Sequence, residues 1–170
     1  MTDKPTHQER LKRMLHQDGR APSSQGKDGE AEVAELPCAA FGYLRGVPEQ
    51  SGAVEFRFRD GSSMFFPYGW LGPWRYKPAE GLLLKFNGDV VYLVLIRGTN
   101  LDKPLNEGAI NLTTGGLQRN RVVWIREMSE EDIRQVGDTG PCIDRIEVAE
   151  FESQEALREW LSQNAPAFLR

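Results

Sequence analysis

Histidine and cysteine are scarce in this chain, with two of each among 170 residues. Both histidines, His7 and His16, precede a stretch without a large apolar side chain (18–32, DGRAPSSQGKDGEAE), so a general base built on imidazole is not expected in the body of the chain. Cys38 and Cys142 lack the CxxC or HxxxH spacing that presents several ligands together, and no zinc site is expected. They flank the expected core, which leaves two readings: a disulfide, if the first and last strands are neighbours, or two buried thiols in a reducing compartment. The second is preferred because no secretory signal precedes them. The glycine-rich stretch 113–116, TTGG, has neither the lysine of a triphosphate loop nor the spaced glycines of a dinucleotide fold, and reads as a turn. No run approaches the ~20 apolar residues of a membrane span. The opening MTDKPTHQERLKRML is charged where a signal peptide needs an unbroken apolar run, so the cytoplasm is the expected location. No cofactor is expected.

What is present is enough for one globular domain with polar tails: 39% hydrophobic and 27% charged residues. The net charge of −4 hides an uneven distribution. Residues 38–127 hold eleven Lys/Arg against eight Asp/Glu, and residues 128–170 hold four against ten. A mildly basic middle and an acidic end are what solvated faces produce, with a functional basic surface as the second reading.

Leu11, Met14 and Leu15 fall at i, i+3 and i+4, which predicts a short helix within residues 1–17. Residues 18–35 read as a flexible linker, and a single β-rich domain is expected over 36–165. Val54, Phe56 and Phe58 alternate with Glu55, Arg57 and Arg59, the mark of a strand with one buried face. Asp60-Gly61 predicts a two-residue type I′ turn into a returning strand over 63–66, ended by Pro67. Asn87-Gly88 predicts a second hairpin between GLLLKF and DVVYLVLIRG. Residues 90–96 are apolar on both sides apart from Tyr92, so that strand should be central and covered by another sheet layer or a helix. Further strands are expected over 121–127 and 142–149, with weaker candidates at CAAFGYL and WRY. Ser129 starts a short helix that Gly137 ends, and Ser153 caps a last helix with Ala156, Leu157, Trp160 and Leu161 on one face.

Antiparallel strands, tight hairpins and a C-terminal amphipathic helix predict a mainly β (α+β) fold: a small antiparallel β-barrel or roll with that helix packed on it and a flexible N-terminal arm. The element order over roughly residues 38–163 resembles pleckstrin-homology-type rolls, which host many unrelated functions. The segment from FRFRDG through FPYGWLGPWRY, GLLLKFNGDVVYLVLIRGTNL and RVVWIRE also resembles an uncharacterised bacterial domain family without an assigned activity. That likeness implies a self-standing domain and carries no catalytic residue across.

The constellation that invites a functional reading is FPYGWLGPWRYKP, which places Tyr68, Trp70, Trp74, Arg75, Tyr76 and Lys77 within ten residues. In one reading Trp70, Leu71 and Trp74 plug the end of the fold; in the other, some rings stay exposed beside arginine as interface anchors. Arg57, Arg59, Arg119 and Arg121 form a basic strip if their strands share a face, and such a strip with exposed rings would suit single-stranded nucleic acid. Glu55, Glu80, Asp89 and Glu127, or the Cys38 thiol, are the groups left for an enzyme. The long loop 97–118, with a short strand at Ile110 and Leu112, is the expected neighbourhood of any specific edge. The expectation is a non-enzymatic module that binds a protein partner through an aromatic and basic surface, with nucleic-acid binding and a small enzyme as alternatives.

Overall fold

The computed structural model describes residues 33–34, 40–44, 50–104 and 110–169, all within one compact unit, Ala31–Arg170. The expected N-terminal helix, most of the linker and Cys38 lie outside the described residues. Among the described residues, nine strands form two sheets. The first sheet is built from β1 (Val33–Ala34), β2 (Phe41–Leu44), β8 (Val122–Arg126), β3 (Ala53–Arg57) and β4 (Ser63–Pro67), in that spatial order. The second runs β5 (Arg75–Lys77), β6 (Gly81–Asn87), β7 (Val91–Thr99), β9 (Cys142–Phe151). The fold is mainly β, and the described strands close no barrel. All pairings are antiparallel except β3 with β8, which run parallel with Glu55 opposite Trp124 and Arg57 opposite Arg126.

The unbroken apolar run of β7 explains the layering. Val94 and Ile96 enter one cluster with Leu82, Leu84 and Phe86 of β6 and with Phe41, Val54, Phe56, Phe66 and Ile125 of the first sheet. Leu93 and Leu95 point the other way, into a second cluster with Leu83 and Phe151. That second face is covered by α2 (Gln154–Asn164) through Leu157 and Leu161, and by Phe168 in the turn beyond it. β7 is therefore central, as expected, and covered on both sides. Phe66 and Phe86 stack across the two sheets with centroids 4.6 Å apart, and Phe56 meets Phe86 edge-on at 6.1 Å.

Both helices start as the sequence implies. Ser129 and Asp132 form a reciprocal capping box for α1 (Glu130–Val136), and Gly137 at φ 54° ends it. Ser153 Oγ accepts from the Ala156 N–H at 3.2 Å to cap α2. Ala156 itself, expected on the apolar face, is exposed, because the stripe that packs is Leu157 and Leu161 with Trp160 half-buried against Phe151.

The first turn departs from expectation, while the second hairpin forms where Asn87-Gly88 puts it. In the first hairpin only Gly61 has positive φ, 87°, and its N–H donates to the Phe58 carbonyl at 3.1 Å. The loop is thus a type I-like turn followed by a left-handed glycine, the three-residue alternative to a type I′ pair. In the second hairpin neither Asn87 nor Gly88 has positive φ. Gly88 is needed for space instead: a Cβ there would stand 2.8 Å from the Trp70 ring. Val33–Ala34, placed in the linker by composition, pairs with β2, since a backbone ladder needs no large side chain. The 97–118 loop is also more anchored than its composition implies, because Leu101, Leu112 and Leu117 are fully buried. A π-helical turn, Leu112–Gly116, replaces the expected strand there.

The double role of β7 is testable. Leu95→Ala and Ile96→Ala empty opposite faces of one strand, and each is expected to lower unfolding stability by about 2–5 kcal/mol in urea titration. A near-neutral result for either would mean that its cluster does not support the fold.

Candidate interaction surface

The structure distributes the expected surface residues over quite different roles. Tyr68 is buried and donates through its hydroxyl to the Val122 carbonyl at 2.9 Å, and burial pushes its phenol up from the ordinary value. Trp74 is half-buried against the inter-sheet core, as is Leu71. Tyr76 is also half-buried and donates to Asp102 Oδ1 at 3.1 Å; desolvation, then that carboxylate, raises its pKa. Arg75 Nη1 donates to the Phe168 carbonyl at 2.6 Å, Lys77 Nζ donates to that of Ala167, and Arg97 Nη2 to that of Asn164 at 2.8 Å. Three cations therefore hold the carbonyl-rich end of α2 and the turn after it, where the helix leaves acceptors without intrahelical donors.

The four arginines of the expected basic strip are not brought together. Arg57 lies over the Trp124 ring at 4.7 Å and pairs with Glu55 at 2.8 Å. Arg59 Nη2 donates to the carbonyls of Met128 and Asp144 at 2.8 and 2.9 Å, and its own N–H donates to Glu127 Oε2 at 2.8 Å. The Glu127 carboxylate also accepts from the Ile146 N–H at 2.7 Å, and Met128 N–H donates to the Ile143 carbonyl at 2.8 Å. Arg59 and Glu127 thus tie the first hairpin and the end of β8 to β9, one sheet to the other. Arg121 sits at the opposite end of β8, where its Nη2 donates to the Leu44 carbonyl at 2.6 Å. Since Arg57 is level with Arg126, five strand residues, roughly 16 Å, separate it from Arg121. Arg119 is exposed in the turn just before Arg121.

The carboxylates are equally dispersed. Glu80 and Asp89 lie beyond opposite ends of β6, Glu55 is on the outer face of β3, and Glu127 serves the junction just described. One cleft of about 320 Å³ is lined by Glu80, Arg97, Thr99, Ile133, Cys142 and Asp144 among others. Cys142 is a free, buried thiol, pushed up mainly by that burial. A second, shallower cleft of about 330 Å³ runs past Asn111, Thr114, Gln118 and Arg119. Among the described residues no group of three His, Cys, Asp or Glu is arranged to hold a metal ion, and no helix is long and apolar enough to cross a membrane.

Of what stands out on the surface, the sequence pattern singled out Trp70 but not Met64 or Phe65. Phe65 is 66% exposed, Met64 37% and Trp70 39%, three of the four large apolar side chains in the open among the described residues. Met64 and Phe65 lie on β4, which among the described residues is the edge of its sheet and pairs only with β3. The hydrogen bonds flanking this pair, Tyr68 N–H to Gly52 and Phe58 N–H to Ser62, set the alternation: even-numbered residues of β4 bond to β3. The N–H and C=O groups of Ser63 and Phe65, and the C=O of Pro67, therefore face outward. No residue of β4 is charged. Charges and short length are common ways of blunting an edge; β4 has only its Pro67 and its five-residue length. The signal available in sequence was SMFFP itself, an uncharged run directly after a turn.

No family model, curated protein or solved structure matches this chain. The functional reading therefore rests on the residues alone.

The arginines provide a direct check on these roles. Arg59→Ala is expected to lower unfolding stability by about 1–2 kcal/mol through the loss of charge-assisted bonds to two carbonyls. Arg119→Ala should stay within about 0.5 kcal/mol of the parent. Equal effects in chemical denaturation would remove the distinction between a junction arginine and a solvated one.

Proposed function

We propose that this chain is a non-enzymatic protein-interaction module whose docking element is the β4 edge, with Phe65, Met64 and Trp70 as its apolar anchors. The observation that carries this reading is an uncharged edge strand with outward backbone donors and acceptors beneath the most exposed aromatic ring among the described residues. Such an edge takes up an extended segment by adding a strand: main-chain bonds supply the ladder, and the exposed rings supply apolar contact. The aromatic half of the expected surface survives in Trp70, joined by Phe65. The arginine half has less support, because Arg57, Arg59, Arg75 and Arg121 are each engaged within the fold. For the same reason nucleic-acid binding is the weaker proposal, resting on Arg119 and the shallow polar cleft beside it.

The finer fold description belongs to this proposal too. Two open sheets sharing one core, with α2 lying on the far face of the second sheet, fit a roll better than a barrel. The order of strands followed by a C-terminal helix is the feature held in common with pleckstrin-homology-type rolls. A cytoplasmic location is proposed with it.

The test is an affinity capture from host lysate with the parent chain, Phe65→Glu and Arg119→Ala, each with and without nuclease and at two salt concentrations. The expected result is a retained protein that survives nuclease and salt, is kept by Arg119→Ala and is lost with Phe65→Glu. Equal capture by parent and Phe65→Glu would overturn the edge reading, and loss of all retained material on nuclease treatment would transfer the function to nucleic acid, with a steep dependence on salt.

A further inference from the structure

Of the six asparagines in the chain, only Asn87 is followed by glycine. It is exposed and forms the last pair of β6 with β7, opposite Val91, where the strand enters the hairpin loop. We infer that Asn87 is a site of spontaneous covalent modification, in which its side-chain amide is displaced by the Gly88 nitrogen, and that the segment 70–72 guards it.

The chemistry needs no cofactor, oxidant or partner. The Gly88 nitrogen gives up its proton to hydroxide and bonds to Asn87 Cγ; the Cγ–Nδ2 bond breaks and ammonia leaves. Glycine favours this step because no side chain stands beside the attacking nitrogen. Water then opens the five-membered imide at either of its two carbonyls, which leaves aspartate or isoaspartate at position 87.

The folded hairpin restrains both reacting groups. A Cβ at Gly88 would stand 2.8 Å from the Trp70 ring, so that ring lies directly on the loop glycine. A Cβ at Gly72 would stand 2.6 Å from Asn87 Nδ2, so the carboxamide rests against Gly72. The segment bearing these contacts is itself fixed to β6: Leu71 bridges to Phe86, and the Gly72 N–H donates to the Lys85 carbonyl at 2.8 Å. The Gly88 N–H donates to the Val90 carbonyl at 3.1 Å, which occupies the attacking nitrogen. The ladder adds a further restraint. The imide ring is nearly planar, and a backbone held extended at Asn87 must turn about its Cα–C bond before the nitrogen faces the side-chain carbon. The reaction therefore runs through a local opening in which Trp70 leaves Gly88, and its rate reports how often that opening occurs.

The products alter the place where they form. Each replaces a neutral amide with a carboxylate two residues from the exposed Asp89. Isoaspartate also routes the backbone through the former side chain, which adds a methylene at the end of β6. The Asn87 and Val91 pair cannot keep its geometry with that extra atom, so the seat of the Trp70 ring changes with it. Trp70 is 39% exposed, and the modification thus acts on a surface ring without touching the core.

The test follows position 87 in the parent chain, Trp70→Ala, Gly72→Ala and Asn87→Gln, each incubated at mildly alkaline pH both folded and in urea. Peptide mapping by mass spectrometry reads the mass gain of amide to acid, and enzymatic methylation counts isoaspartate. The folded parent should be modified at Asn87 more slowly than the unfolded chain. Trp70→Ala and Gly72→Ala should each react at least about threefold faster than the folded parent, because each removes one restraint on the opening. Asn87→Gln should stay unmodified, since its attack would close a larger ring. Circular dichroism establishes that the variants are folded, and Gly72→Ala, whose new methyl group meets only the end of a flexible side chain, carries the comparison alone if Trp70→Ala does not fold. A folded parent that remains unmodified while the unfolded chain is consumed overturns the site. Parent-like rates in the folded variants overturn the guard.

Discussion

The fold depends on one strand having no polar face. β7 sends Val94 and Ile96 into the core between the sheets and Leu93 and Leu95 into the cluster beneath α2. A strand of this kind is stable only when two layers cover it, and the other elements are arranged to do so. The first sheet closes one side and α2 closes the other. β6 and β9 flank β7 and extend both apolar faces sideways. The three-cation clamp on the end of α2 follows from the same need, because the helix must lie against Leu83 and Leu95 and its terminal carbonyls then face the basic side chains of β5 and β7.

A second constraint operates where the sheets are joined. The segment after β8 carries Glu127 and Met128, which bond to backbone groups of β9, and Arg59 reaches the same place from the first hairpin. A basic residue at the tip of a strand is ambiguous from sequence: it can be solvated, recognise an anion or satisfy carbonyls left over at a junction. Here the last of these holds for Arg59, and related internal tasks occupy Arg57, Arg75 and Arg121. This is why the basic component of the surface contracts while the apolar component gains.

Local pattern and local chemistry were readable in the chain; relations between distant segments were not. Alternation at Val54, Phe56 and Phe58, the two-sided run in β7, and the Ser129 and Ser153 caps are all encoded within a few residues, and each forms close to where the pattern puts it. The type I′ turn expected at Asp60-Gly61 failed because that dipeptide serves more than one geometry. Gly61 takes the left-handed conformation alone, and Gly88 serves to admit Trp70. The parallel alignment of β3 and β8 could not be read, since nothing in either strand names its partner. For the same reason the open side of β4 was invisible: SMFFP reads as a returning strand, and only the strand order shows that no described strand follows it.

The parallel pair has a consequence for how the molecule is made. Glu55 and Trp124 are neighbours in the sheet but roughly seventy residues apart along the chain. The hairpins β3–β4 and β6–β7 need only short loops to close, while β8 must return across everything between before it can enter between β2 and β3. Its insertion is a long-range step of the kind that slows β-rich proteins. Until it occurs, β3 has an unpaired side as well as the open one on β4, and the nascent hairpin exposes two sticky rims instead of one. On a ribosome, where residues emerge in order, that interval lasts at least as long as the synthesis of the segment separating the two strands.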